Sequence, residues 1–301
     1  MTVWKSSLIL IVLTCANVTW LPLIARSGES ARPHTSKPEF VRDAIWVWGN
    51  PEMATPGEHT LATFAQASPA QRVSLLGVSS VMMAGDGLPS DFDEARRLTE
   101  QVAHLPHILW EITPDENQES KFVFDQRLEH LGKLVAEYHQ IEGVILDDMS
   151  TTFYNKGLKP KHLIRLREQL AAQKAPLKLW GVLYTMSLNR PHIDEYIEYL
   201  DGILLPEWHS DRVGDMEKHV AHCEKQYPGK PILYCTYLYD YGGGKRISLQ
   251  LLEKQFEIGL RLLHAGRIEG IEITTITNDL EALEWTANWI KQVGGQKIGS
   301  P

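Results

Sequence analysis

The segment Glu142-Gly143-Val144-Ile145-Leu146-Asp147-Asp148 turns from a run of apolar and small residues straight into two adjacent acids. Charge at the end of a buried element is costly unless it faces a cleft or is paired, so the pattern marks Asp147 and Asp148 as site residues. Side chains alternate along a strand, so the pleat sends one acid directly into such a cleft and leaves the other to cap the next segment. A second signal is Leu204-Leu205-Pro206-Glu207-Trp208-His209, where a carboxyl group stands beside an indole and two residues before a histidine. The alternative there is an exposed Glu207 paired with Arg212. Two carboxyl groups flanking a glycosidic bond supply an acid together with a base or a nucleophile, and aromatic faces stack on the apolar faces of sugar rings. The expected chemistry is therefore sugar hydrolysis, with Asp147 or Asp148 as nucleophile or electrostatic stabiliser and Glu207 as acid/base. Trp48, Trp110, Glu111, Tyr184, Trp208, His209, Tyr239 and Asp240 are the expected substrate-binding residues.

Other patterns offer rival chemistry. Gly242, Gly243 and Gly244 expose backbone N–H groups, and Lys245 and Arg246 follow them, so this loop is either a phosphate cradle for a phosphosugar or a flexible lid. Glu272 stands in the middle of an apolar run and reads as an interior structural acid. Trp46-Val47-Trp48 occupies the place where metal-dependent barrel hydrolases carry His-x-His, and no His-Glu-x-x-His occurs. Asp147, Asp148 and Glu207 could hold a divalent cation through oxygen, but no ligand spacing signals one and no cofactor is expected.

The elements that must position these residues are short apolar runs alternating with helical patterns. Eight runs can be counted, at 44–48, 80–84, 107–111, 143–148, 177–184, 202–208, 231–239 and 270–276. Their starts are spaced by roughly 30 residues, the length of one strand-plus-helix unit. Runs that are apolar throughout, rather than alternating, belong to parallel strands covered on both faces. Between them Leu128, Leu131, Val135 and Tyr138 recur at helical spacing, as do Phe256, Leu260 and Leu263, and Asp279 reads as an N-cap. The sequence thus predicts a single (β/α)8 TIM barrel, with its site at the C-terminal ends of the strands.

Composition agrees with a globular enzyme. The chain has 301 residues, 43% of them hydrophobic and 23% charged, with a formal net charge of -8. An acidic surface without basic runs argues against nucleic acid and fits a neutral carbohydrate partner. Residues 1–25 read as a secretory signal, because Lys5 precedes the apolar run from Leu8 to Leu13. An uncleaved anchor and a lipoprotein attached at Cys15 stay open, and any membrane attachment would pass through this segment alone. Residues 26–40 read as a linker, 41–295 as the barrel and 296–301 as a disordered tail. The expected location is therefore periplasmic or extracellular. Cys223 and Cys235 show no framework spacing and are expected as buried free thiols.

With these residues in view, the chain resembles TIM-barrel glycoside hydrolases. It is similar in particular to exported bacterial barrels without an assigned reaction, whose seventh strand reads like Tyr237-Leu238-Tyr239-Asp240-Tyr241-Gly242. The likeness covers about residues 44–290 and implies an O-glycosidase-like activity on an extracellular or periplasmic glycan. The segment ending in Asp147-Asp148 also looks like strand four of chitinase-type barrels, in which Asp147 would match an aspartate that assists catalysis. Met149 stands where that family carries its catalytic glutamate, so chitinase chemistry is not implied. A barrel that binds carbohydrate without cleaving it is the alternative that Met149 leaves open.

Overall fold

The computed structural model describes residues 37–51, 55–85, 87–114, 122–275, 277 and 279–299. The expected signal segment, Cys15, Asp86 and Ile276 lie outside them. Eight parallel strands form a closed barrel: β1 (Ile45–Gly49), β2 (Ser80–Met83), β3 (His107–Glu111), β4 (Ile141–Leu146), β5 (Lys178–Val182), β6 (Gly202–Leu205), β7 (Ile232–Tyr237) and β8 (Gly270–Thr274). Strand β1 pairs with β2 through Trp46↔Ser80 and with β8 through Ile45↔Ile271, so no edge is left open. The helices between and after the strands are α1 (Pro69–Leu76), α2 (Phe92–Val102), α3 (Asp125–Glu137), α4 (Pro160–Ala171), α5 (Asp194–Ile197), α6 (Met216–Gln226), α7 (Leu249–His264) and α8 (Leu280–Val293). The predicted (β/α)8 fold is the fold found.

Both faces of the strands are buried, which is why their sequences read as unbroken apolar runs. One set of residues, including Val47, Leu146, Leu205 and Ile273, packs outward against helix residues such as Leu131, Leu166 and Phe256. The alternate set, including Trp46, Leu109, Ile145, Trp180 and Leu233, packs inside the barrel. Cys223 and Cys235 are free and buried, one in each set.

The helix signals are met by local chemistry. The Asp279 side chain accepts the Ala282 amide at the start of α8, and Ser248 accepts from Leu251 at the start of α7. Leu128, Leu131 and Val135 form the buried stripe of α3, with Tyr138 just past its end. Residues just outside the expected 41–295 contact one another. Phe40 bridges Lys297, the Ile298 amide donates to the Glu39 carbonyl at 2.9 Å, and Lys297 pairs with Glu39 at 2.8 Å. Glu39 and Phe40 are thus paired with Lys297 and Ile298.

The interior tolerates a large side chain only where its neighbour is small. Trp180 stands beside Gly202 in the β5–β6 register, and a Cβ at Gly202 would lie 2.3 to 2.6 Å from atoms of the indole. Gly202→Ala should therefore destabilise the chain by about 1–3 kcal/mol, the usual cost of overpacking. Combining it with Trp180→Leu should recover part of that loss. Urea denaturation of the two variants checks this, and an Ala variant as stable as the parent would contradict it.

Candidate active site

Ile145 faces the barrel interior and Leu146 faces the helices, so the pleat aims Asp147 into the mouth. Strand β4 ends at Leu146, and strict alternation ends with it. Asp148 takes a left-handed backbone with φ 49°, a conformation that aspartate tolerates better than most residues, and opens a single π turn over Met149–Phe153. Both acids consequently line one cleft, where the sequence alone allowed one. The Asp148 carboxylate accepts from the hydroxyls of Thr151 (3.2 Å), Thr152 (2.8 Å) and Tyr184 (3.0 Å).

The walls of the cleft are aromatic. Trp48 comes from the end of β1, Tyr184 from beyond β5, Trp208 from beyond β6, and Tyr237 and Tyr241 from β7 and the loop after it. Trp208 and Tyr241 stack at 5.3 Å between ring centres and 27° between planes. Tyr237 stands edge-on to both, at 6.1 Å and 4.9 Å. The cleft encloses about 220 Å³, below the roughly 300–1,000 Å³ of sites for drug-sized ligands, so it fits one ring-sized group.

Cys235 and Thr274 line its depth, and Glu272 lies behind them with no exposed surface. The Thr274 hydroxyl is 3.0 and 3.1 Å from the two Glu272 oxygens and 3.6 Å from the Cys235 sulfur. Glu111, also buried, faces inward from the end of β3 and accepts the Gly85 amide at 2.6 Å.

This packing of acids sets their protonation. Water reaches one side of Asp147, yet burial of the carboxyl group dominates and, with the charges of Glu111 and Asp148, pushes it up to about 8. The Asp148 amide, 2.7 Å from Asp147 Oδ1, opposes the shift. Burial likewise raises Glu272 to about 8; hydrogen bonds from Cys235 and Thr274 oppose this and the charge of Asp147 adds to it. The Tyr184 hydroxyl is raised by burial and by Asp147 and Asp148, so it stays a donor to Asp148. Among the described residues no three of His, Cys, Asp and Glu are disposed to hold a metal ion.

Of the residues expected at the site, Trp48, Asp147, Asp148, Tyr184 and Trp208 meet in the cleft, and Glu111 is near enough for its charge to act on Asp147. The others do not meet there. Trp110 is fully buried on the helix side of β3, because the pleat turns Leu109 and Glu111 inward and the residue between them outward. Glu207 falls on the wrong parity for the same reason: Pro206 and Trp208 line the cleft and Glu207 does not. Its carboxylate accepts the Thr185 hydroxyl at 2.6 Å and the His209 amide at 3.0 Å, and lies 4.0 Å from His219 of α6. That environment is a buried structural one, and it also separates Glu207 from Asp147 and Asp148 as a cation ligand. His209 packs against Gly242, where an added Cβ would collide with its imidazole.

Asp240 closes a loop. Its Oδ1 accepts the amides of Gly243 (2.9 Å) and Ser210 (3.3 Å). Residues Tyr239–Asp240 and Lys245–Arg246 form a small antiparallel ribbon, in which Tyr239 touches Tyr241 edge-on at 5.2 Å. Arg246 is bound to Asp279, and Lys245 lies 4.0 Å from Asp240, so both cations after the glycines have a carboxylate nearby. Tyr237 and Cys235 were not anticipated as site residues. Counting alternate positions from Leu233 along β7 places both of them inside.

No family profile matches the chain, and no curated protein matches it. Solved structures do. A GH99 endo-alpha-mannosidase from Bacteroides thetaiotaomicron aligns with TM-score 0.54 and 11% identity over 83% of this chain and 97% of that one. The C-terminal domain of Legionella pneumophila ChiA aligns with TM-score 0.52 and 11% identity, covering 83% of this chain and 98% of that one. The Bacillus cereus spore cortex-lytic enzyme SleL aligns with TM-score 0.51 and 11% identity, covering 84% of this chain and 76% of that one. The chain is therefore a TIM barrel with distant structural similarity to glycoside hydrolases.

Proposed function

We propose that the chain is a carbohydrate-active hydrolase of the O-glycosidase type, with Asp147 as proton donor and Asp148 as its carboxylate partner. One observation carries this reading: a carboxyl group pushed up to about 8 stands beside a second acid in an aromatic-walled cleft of ring size. Titratable groups whose surroundings differ in this way divide into acid and base roles. Asp147 gives its proton to the leaving oxygen as the bond from that oxygen to the sugar carbon breaks. Asp148 then either attacks that carbon or takes a proton from the water that does. Carboxyl groups about 5–5.5 Å apart retain configuration and groups roughly 6.5–9.5 Å apart invert it, so the anomer of the fresh product, read by NMR, reports which step Asp148 performs. Export through residues 1–25 would give the enzyme a periplasmic or extracellular glycan.

Purified protein incubated with a panel of glycans should release reducing sugar from at least one. Asp147→Asn should lower the rate on that glycan by about 10²–10⁴-fold, the usual worth of general acid catalysis. Aryl glycosides with good leaving groups should be spared much of this loss, whereas Asp148→Asn should impair both substrates. Glu207→Gln should leave the rate of the same order while lowering stability. Binding without release from any glycan would instead identify a carbohydrate-binding barrel.

The acid must hold its proton, so kcat/KM should fall as pH rises through about 8. Asp147→Asn, if any rate remains, should lose that limb.

Stability should carry a matching signature. The folded chain keeps a proton on Asp147 that the unfolded chain releases above its ordinary 3.8, so this stabilisation is complete below that value and is lost as pH rises through about 8. Asparagine cannot ionise. The Tm of Asp147→Asn should therefore gain on the parent between pH 5 and 9, by roughly 2–4 °C for each kcal/mol relieved. A constant Tm difference across that range would show that Asp147 is not held protonated by the fold.

A further inference from the structure

The formal net charge of -8 is unevenly spread along the chain. Between Asp148 and Asp194 the sequence carries eight Lys or Arg residues and a single acid, Glu168. Two of these cations are paired, Arg165 with Asp125 at 2.8 Å and Arg167 with Asp201 at 2.7 Å. Lys156, Lys159, Lys161 and Arg190 have no carboxylate partner among the described residues, and the three lysines are exposed. Strand β4 ends at Leu146 and α4 begins at Pro160, so these lysines stand where the chain leaves Asp148 and opens α4, on the side where the strands end. Asp148 accepts the Thr152 hydroxyl at 2.8 Å, and the Thr152 carbonyl accepts the Lys156 amide at 2.9 Å. Arg190 reaches the same segment from beyond β5. Its guanidinium donates to the Ser150 carbonyl at 2.7 Å and to the Asn155 side chain at 3.3 Å, and lies 5.5 Å from the centre of the Tyr154 ring. Lys159 and Lys161 act on one spot, since burial first and then their charges hold the His162 imidazole below its ordinary range.

We infer that this cationic rim binds an anionic glycan, whose carboxylate or sulfate groups lie on rings beyond the one held in the cleft. The inference rests on the proposed carbohydrate reading of the site and names its substrate class. A cleft of about 220 Å³ encloses one ring, so the rest of a longer chain leaves it across the rim. A helical rise of about 1.5 Å per residue puts Lys156 on the order of 12 Å from Asp148, a span that a few rings cover. Lysine ammonium groups are flexible point charges, so they attract a carboxylate or a sulfate without demanding one geometry. One exposed ion pair is worth little, and several made by a single polymer add up. A membrane surface or a nucleic acid would also answer these cations. The lysines, however, adjoin the segment that carries Asp148 into a ring-sized cleft, and this continuity favours a polymer of rings.

The test is isothermal titration calorimetry of the full chain at low salt with hexagalacturonate, its fully methyl-esterified form and a chondroitin sulfate hexasaccharide. At least one acidic hexamer should bind about tenfold tighter than the neutral ester, the worth of a few exposed ion pairs. The difference should shrink as sodium chloride is raised to about 0.5 M. The triple variant Lys156→Gln, Lys159→Gln, Lys161→Gln should bind acid and ester alike. The same loss of charge in Lys174→Gln, Lys225→Gln, Lys291→Gln, exposed positions at or just past the C-terminal ends of α4, α6 and α8, should keep the preference. No preference in the parent protein, a preference that survives the rim variant, or an equal loss in both variants would overturn the inference. So would tighter, lysine-dependent binding of oligothymidylate or of vesicles of equal parts phosphatidylglycerol and phosphatidylcholine. Reducing-sugar release is followed in the same samples. Release from the neutral ester without acid preference would keep the hydrolase reading and remove this inference, whereas a rim-dependent acid preference without release would do the reverse.

Discussion

Strand β1 is hydrogen-bonded on both sides, to β2 and to β8, and the site depends on that closure. A closed parallel sheet satisfies its own backbone groups and leaves no edge, so its interior can be filled with side chains alone. Closure also locks the pleat, because a slip by one residue in any pair would exchange the inward and outward sets. The inward set then becomes a column of Trp46, Leu109, Ile145, Trp180 and Leu233. Asp147 and Asp148 come above it where the apolar pattern of β4 stops, and Glu272 beside it from the middle of β8.

That apolar column is what gives the acids their chemistry. Glu272 is in register with Trp46 on one side and Cys235 on the other, and it has no exposed surface. Asp147 lies nearer the mouth but is still held protonated, by burial first and by its neighbours' charges second. A carboxylate in water would have given up its proton several pH units earlier. The barrel spends stability to keep these groups, since an ionisable side chain without a counter-ion is a poor core residue.

The rim is organised by hydrogen bonds that leave the walls little freedom. Thr275 donates to the Trp48 carbonyl at 2.7 Å, and Arg72, buried in α1, reaches the Thr275 hydroxyl at 3.5 Å while donating to the carbonyls of Ala65 and Ala67. Trp48 is thereby fixed from outside the barrel. On the opposite side the Gly242 amide donates to the Trp208 carbonyl at 2.8 Å, and Asp240 binds the Gly243 amide, so the loop carrying Tyr241 is tied to the segment carrying Trp208. The stacked pair rests on these two ties.

The sequence by itself determined the eight strands, the helices between them and the chain positions at which acids and rings cluster. Those features follow from local periodicity and from strands buried on both faces. It was enough to place Trp48, one acid of the Asp147-Asp148 pair, Tyr184 and Trp208 at the mouth. What it could not supply was the parity in which each strand enters the barrel and the point at which alternation stops. Trp110, within β3, and Glu207, beyond β6, carry site-like chemistry yet point to the helices, and Asp240 and Tyr239 leave the barrel in a ribbon because β7 ends at Tyr237. Asp148 shows the converse. A left-handed turn, visible only in three dimensions, brings it into the cleft against the alternation its position implies. Type and order are local properties of the chain, whereas which side of a closed sheet a residue faces, and which charges it meets there, depends on where each strand stops.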